Sequence, residues 1–306
     1  MIKVLDVAYA RFQAPDLDLM EQFLGDFGLT TSEKTENALY MRCSDENHHT
    51  HVTELGDPKF VGFAFNAASL EDLNTIAKVE GASKIEEMDE PGGGYRVRIN
   101  DPDNFQIEVV YGMKTLPNLS KQNIFGANFG DQRKREGEFV RLKAGPSQCK
   151  RLGHVVINVT DFEKTNKFYK SNFGLISSDE CVDENGKTCL AFNRVDQGEK
   201  FVDHHCLLTV PTDTAGLGHI AFEVHDVNHI FLGHEYLKNK KYKHSWGIGR
   251  HVLGSQIFDY WFDPYGFRVE HWTDGDLLNI DTPVGITSRA EALEVQWGVD
   301  SKDRKT

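Results

Sequence analysis

A chain of 306 residues has room for two domains and for a core that needs no covalent staples, which excludes the small disulfide frameworks. With 39% hydrophobic and 26% charged residues and no apolar run of 18 or more, the composition is that of a globular protein and not of a bundle of membrane-spanning helices. The 47 acidic against 34 basic side chains give a net charge of -13, a field that repels phosphate backbones and anionic headgroups, so neither nucleic acid nor a membrane is expected as a partner.

The opening MIKVLDVAYARF has one early Lys, an Asp at position 6 and no apolar stretch ending in small residues, so no secretory signal is expected. Next comes AYARFQAPDLDLMEQFLGDFGL, residues 8–29, which aligns without a gap with HVVINVTDFEKTNKFYKSNFGL, residues 154–175. Each segment has an apolar run, a break before an Asp that suits a helix start, an amphipathic stretch and an FGL stop with Gly where the helix should end. Both therefore predict a strand followed by a helix. VGFAFNAASLEDLNTIA from Val61 is echoed by GHIAFEVHDVNHIFLG from Gly218, and DPDNFQIEVVYG from Asp101 by DPYGFRVEHWTDG from Asp263. The last pair places an Asp-Pro turn before an alternating strand that carries Glu108 or Glu270.

The chain thus reads as two copies of one β-rich, helix-decorated domain, residues 1–112 and 151–275. Residues 113–150 read as a linker with one strand near 138–142, and residues 276–306 as a tail with a short helix around 288–295 and a disordered end, SKDRKT. Five cysteines are an odd count without a CxxC pair, so Cys43, Cys149, Cys181, Cys189 and Cys206 read as free thiols in a reducing cytoplasm. Cys181 and Cys189 could meet across a hairpin at DENGKT, but the fold should not depend on it.

Comparing the copies isolates the polar positions that differ. His154 faces Ala8 and His219 faces Gly62, whereas a carboxylate persists on both sides as Glu108 and Glu270. One working half and one scaffold half are expected. Two imidazoles and a carboxylate form the ligand set that leaves about half of an octahedron open on a divalent first-row metal such as iron(II). His154 lies 65 residues before His219 and His219 51 before Glu270, so no local motif brings them together and the fold must do so. A lone strand histidine is more often a hydrogen-bonded core residue than a ligand. The parallel contexts LGHVVINV and LGHIAFEV, each where the sister copy has Ala or Gly, favour the ligand reading. His48, His49, His225, His229, His234 and His244 are assigned to surfaces or helix faces.

Two longer motifs carry a family resemblance. In GRHVLGSQIFDYWFDPYGFRVEHW, residues 249–272, a His, a Tyr and a Glu recur as His251, Tyr260 and Glu270, and VDHHCLLTV places His205 fourteen residues before His219. On these the sequence resembles the type I extradiol ring-cleaving dioxygenases of the glyoxalase, bleomycin-resistance and dioxygenase superfamily. The resemblance implies an α+β architecture of two domains, each of paired βαβββ modules curled into a half-open mixed β-barrel. It implies a metal in the C-terminal domain on His154, His219 and Glu270, iron(II) or else manganese(II), and an assembly of identical subunits.

It also implies a catechol-type substrate and dioxygen, opened beside the two hydroxyls to a muconic semialdehyde-type product. In that chemistry His205 is the candidate acid-base residue, with His204 the lesser choice, and His251 and Tyr260 are hydrogen-bond partners of the metal-bound phenolate oxygen. The motif region offers only Arg250 and Arg268 as cations, so an uncharged or hydrophobic catechol is expected. Two other readings stay open. One is a glyoxalase-type lyase or isomerase using zinc or nickel as a Lewis acid, and the other a non-catalytic module that binds an aromatic compound.

Overall fold

The computed structural model describes residues 1–123 and 126–304. The first module runs β1 (Asp6–Ala14), α1 (Leu17–Phe27), β2 (Thr30–Lys34), β3 (Ala38–Arg42) and β4 (His51–Leu55). The second runs β5 (Lys59–Asn66), α2 (Leu70–Ile76), β6 (Glu86–Glu87), β7 (Tyr95–Asn100) and β8 (Gln106–Tyr111). Their eight strands form one sheet in the order β2-β3-β4-β1-β5-β8-β7-β6, with β1 parallel to β4, β5 parallel to β8, and the modules joined by the antiparallel pair β1–β5.

After a short hairpin of β9 (Asn128–Phe129) and β10 (Gln132–Arg133), the plan repeats. β11 (Cys149–Val159), α3 (Phe162–Phe173), β12 (Ile176–Val182), β13 (Thr188–Arg194), the two-residue β14 (Val202–Asp203) and β15 (Leu207–Pro211) make the third module. β16 (Gly216–Val224), α4 (Val227–Asn239), β17 (His244–His251), β18 (Ile257–Phe262) and β19 (Arg268–Thr273) make the fourth. Again β11 is parallel to β15, β16 is parallel to β19, and β11 meets β16 antiparallel.

Local chemistry explains the repeated helices. Asp16 and Asp161 cap the N-termini of α1 and α3 by accepting from the backbone N–H groups of Leu19 and Lys164, and Gly28 and Gly174 end them in the left-handed conformation. Both helices lie between the two sheets. Tyr169 and Phe173 of α3 meet Phe63 and Phe65 of β5, and Phe27 of α1 meets Phe222 of β16, so one apolar core spans both halves. Period-two alternation sends Val155, Ile157 and Val159 of β11 into that core and His154, Val156 and Asn158 to the other face, where a cavity opens.

Three local expectations are corrected. Residues 138–142 form no strand, because their alternating side chains meet no open sheet edge; Phe139 and Leu142 are exposed. The tail is more than a loop with a short helix. Its β20 (Leu277–Leu278) pairs with β14, β21 (Gly285–Ser288) joins β12, and β22 (Val295–Gly298) joins β17, so the tail extends both edges of a ten-stranded sheet, with only a 3-10 turn at Glu291–Leu293 between β21 and β22. Ser301–Asp303 form a further 3-10 turn where disorder was expected, while residues 305–306 lie outside the described residues. All five cysteines are free thiols.

Candidate metal centre

His154 on β11, His219 on β16 and Glu270 on β19 come from neighbouring strands, and their side chains converge in the interior of the second half. His154 Nε2 and His219 Nε2 each lie 3.1 Å from Glu270 Oε2 and 3.3 Å from each other. Ligands about 2.1 Å from a metal at right angles stand about 3.0 Å apart, so the three atoms are spaced like one face of an octahedron. Hydrogen bonding alone does not satisfy the group. Glu270 Oε1, His154 Nδ1 and His219 Nδ1 are buried without a partner among the described residues. Burial lowers both imidazoles to about 3, so they are neutral at neutral pH, the form that binds a cation. Gly153 makes room for this: a Cβ there would stand 2.5 Å from the Trp272 indole.

The other predicted residues surround the same point. His205 is buried with its ring centroid 4.2 Å from that of His154. Its Nδ1 lies 3.1 Å from His204 Nδ1, and His204 Nε2 lies 2.6 Å from Asp179 Oδ2. If His204 donates to Asp179, its Nδ1 must accept from His205, which leaves His205 Nε2 as an unprotonated nitrogen toward the cavity. His205 lines that cavity, whereas His204 stands behind it. His251 Nε2 is 2.9 Å from the Tyr260 hydroxyl, and Tyr260 pairs across the ladder with Glu270. Burial, followed by the Glu270 charge, holds the Tyr260 phenol well above its ordinary value, so it stays protonated.

The cavity has a volume of about 350 Å³. Leu190, Phe192, Leu208, Val210, Leu253 and Ala292 supply apolar wall, and Arg268, Arg289 and Arg304 supply cations. The sequence reading missed the last two because they arrive from the tail. The Arg304 guanidinium lies over Trp246 and Tyr260, 5.5 and 5.7 Å from their ring centroids. Arg250 instead bonds Asp274 and the Ser255 carbonyl.

The first half carries a filled version of this centre. The ladder registers align Glu108 with Glu270, Gly62 with His219, and Tyr9, not Ala8, with His154: β1 and β11 share the same bulge, and the one-residue offset arises because α3 has 12 residues and α1 has 11. Tyr9 donates to Glu108, and Arg11 Nε lies 3.0 Å from the same carboxylate, so a guanidinium supplies the positive charge there. His48 and His49 occupy the places of His204 and His205 and are buried, contrary to the surface expected for them. His229 is buried as well, and His234 and His244 turn inward onto Asp259.

The Glyoxalase/Bleomycin resistance protein/Dioxygenase superfamily model matches residues 151–271. Metapyrocatechase 2 of Cupriavidus necator is 30% identical over 97% of this chain and 90% of its own length. An iron-dependent extradiol dioxygenase of Rhodococcus jostii is 23% identical, with 98% of each chain covered. Among solved structures, an Mn(II)-bound glyoxalase from Novosphingobium aromaticivorans superposes with a TM-score of 0.79 at 20% identity, over 100% of this chain and 95% of that one. Homoprotocatechuate 2,3-dioxygenase from Brevibacterium fuscum, in complex with 3,4-dihydroxyphenylacetate, gives 0.78 at 20% identity over 94% and 86%. A relative that is 30% identical across nearly its whole length fixes the family, and this chain belongs to the extradiol ring-cleaving dioxygenases of the glyoxalase, bleomycin-resistance and dioxygenase superfamily.

Proposed function

We propose that this enzyme cleaves a ring-substituted catechol with dioxygen, breaking the carbon–carbon bond beside the diol and placing both oxygen atoms in a muconic semialdehyde-type product. The observation that carries this reading is the octahedral-face spacing of His154, His219 and Glu270, with three buried polar atoms left over around it. Those residues would hold iron(II), or manganese(II), which would bring diol and dioxygen together and supply an electron path between them. His205 accepts a substrate hydroxyl proton at Nε2 and returns it later, its tautomer fixed through His204 and Asp179. His251 and Tyr260 donate to the substrate oxygen on which charge develops.

A ring substituent would find apolar wall from Leu190, Val210 and Ala292 and cations from Arg289 and Arg304 in the same cavity. This replaces the uncharged catechol expected from sequence with one carrying an anionic group, because the two tail arginines supply the cations the motif region lacked. We also read the enzyme as a cytoplasmic homo-oligomer, from the family and the free thiols; among the described residues no helix is long and apolar enough to cross a membrane.

Anaerobic reconstitution with iron(II), then catechol, 2,3-dihydroxybiphenyl or 3,4-dihydroxyphenylacetate in air, tests the reading. A yellow ring-fission product with one dioxygen consumed per diol is expected. Metal uptake without oxygen consumption across the panel would favour the glyoxalase-type lyase, which needs no His251–Tyr260 pair.

A further inference from the structure

A second histidine–carboxylate cluster lies on the opposite face of β18 from Tyr260. Asp259 points toward α4, where His234 Nδ1 lies 3.2 Å from its Oδ1 and His244 Nε2, from β17, lies 2.8 Å from the same oxygen. The three ligand atoms fall within 4.8 Å of one another. Tetrahedral ligands at about 2.0–2.1 Å stand about 3.3 Å apart, so small rotations of two imidazoles on their own elements close the set around one ion.

Two further features favour an ion over a plain hydrogen-bonded triad. Trp261 Nε1 holds Oδ2 at 2.6 Å and so fixes the fully buried carboxylate, which presents Oδ1 to both imidazoles while His234 Nδ1 also lies 3.2 Å from Oδ2. The backbone opposite is Gly247, where a Cβ would stand 2.7 Å from Oδ1, so the space beside that oxygen is kept clear. His234 and His244 are about one-fifth exposed, at 19% and 22%, so an ion can enter and water can complete its coordination.

We propose that His234, His244 and Asp259 form a second divalent-cation site, distinct from the catalytic centre and selective for zinc. Two imidazoles, one monodentate carboxylate and one solvent position are a tetrahedral donor set. Intrinsic affinity for such donors ranks zinc(II) above iron(II) and manganese(II). On binding, each imidazole keeps its proton on the nitrogen turned away from Asp259. The ion ties α4 to the β17–β18 hairpin that carries His251 and Tyr260.

The test is elemental analysis of the full-length, iron-loaded protein after equilibration with zinc(II) and removal of free metal. The wild type is expected to hold one iron and one zinc per chain, His219→Ala zinc without iron, and His234→Ala iron without zinc. Retained iron in His234→Ala reports that the chain has folded; if that variant does not fold, His244→Gln takes its place. X-ray absorption at the zinc edge of the His219→Ala protein is expected to give two imidazoles in the coordination sphere. Zinc that vanishes with His219→Ala, zinc that survives both His234→Ala and His244→Gln, or a sphere of oxygen alone would overturn the proposal.

Discussion

Glu108 and Glu270 occupy one position of the duplicated fold and are satisfied by different chemistry. Around Glu108 stand the Tyr9 hydroxyl, Gln106 Nε2 at 2.6 Å, Arg11 Nε at 3.0 Å and, farther off, Arg96 Nη1 at 3.4 Å, and Arg11 also bonds Glu54 and Glu90 at 2.7 and 2.8 Å. Removing one partner of a buried pair costs about 3–5 kcal/mol when the remaining charge is left alone, and Arg96, which also reaches Glu108 and Glu90, places Arg11 at the lower end of that range. Arg11→Met should therefore lower the denaturation midpoint by that equivalent, while folded protein keeps its iron. A midpoint within about 0.5 kcal/mol of wild type, roughly the scatter of a neutral surface change, would contradict this. At the second centre, His205→Phe should retain metal and lose roughly 10²–10⁴ in kcat, the range for a positioned acid-base group. His219→Ala should lose the metal itself, and Tyr260→Phe should keep it and slow turnover; metal content measured beside kcat separates the three. The histidines of the LGH contexts were legible in the sequence because neither sister position repeats the imidazole, Gly62 standing for His219 and Tyr9 for His154. Tyr9 and Arg11 were not, since α3 is one residue longer than α1, and a gapless alignment anchored on the FGL stops sets the preceding strands one residue out of step.

Elements were legible wherever local chemistry closed on itself. The Asp caps, the glycine stops and the Asp-Pro turns each satisfy their own backbone groups within a few residues, so helix starts and the β8 and β19 strands followed from sequence. Strands β21 and β22 did not, because four-residue edge strands draw their hydrogen bonds from partners about a hundred and about fifty residues away. The turn before β19 also carries a pH response. Asp263 accepts from the backbone N–H groups of Tyr265 and Phe267, both at 2.8 Å, yet burial raises its carboxyl from 3.8 to about 6. The folded chain then binds this proton more tightly than the unfolded one. Stability from the group is full below about pH 4 and is lost as pH rises to about 6, by about 3 kcal/mol at 1.36 kcal/mol per unit. Asp263→Asn keeps an acceptor for the same N–H groups and removes the titration. Its denaturation midpoint relative to wild type should climb between pH 4 and pH 6.5, and parallel profiles would contradict this assignment.

At the scale of the whole molecule, the tail completes the cavity that the duplicated domains leave open. It crosses from β21 at one edge of the ten-stranded sheet to β22 at the other, and Trp246 Nε1 bonds the Val299 carbonyl at 2.7 Å just before Arg304 reaches the cavity. Nothing in the local sequence around Arg289 or Arg304 marks them as cavity residues, because their place there depends on which sheet edge the chain joins. Among the described residues Arg304 Nε is buried without a hydrogen-bond partner, and the guanidinium rests on two aromatic rings, so a substrate anion would meet a charge held in place and not a mobile surface arginine. A charge-assisted hydrogen bond of this kind contributes about 1.5–3 kcal/mol, roughly a tenfold to hundredfold effect on binding. Arg304→Gln should raise KM for 3,4-dihydroxyphenylacetate by about that factor, leave KM for unsubstituted catechol within about twofold, and leave iron content unchanged. An equal loss on both substrates would mean that the tail serves only to close the sheet, and the anionic substituent would have to be abandoned while ring cleavage at the metal centre stood.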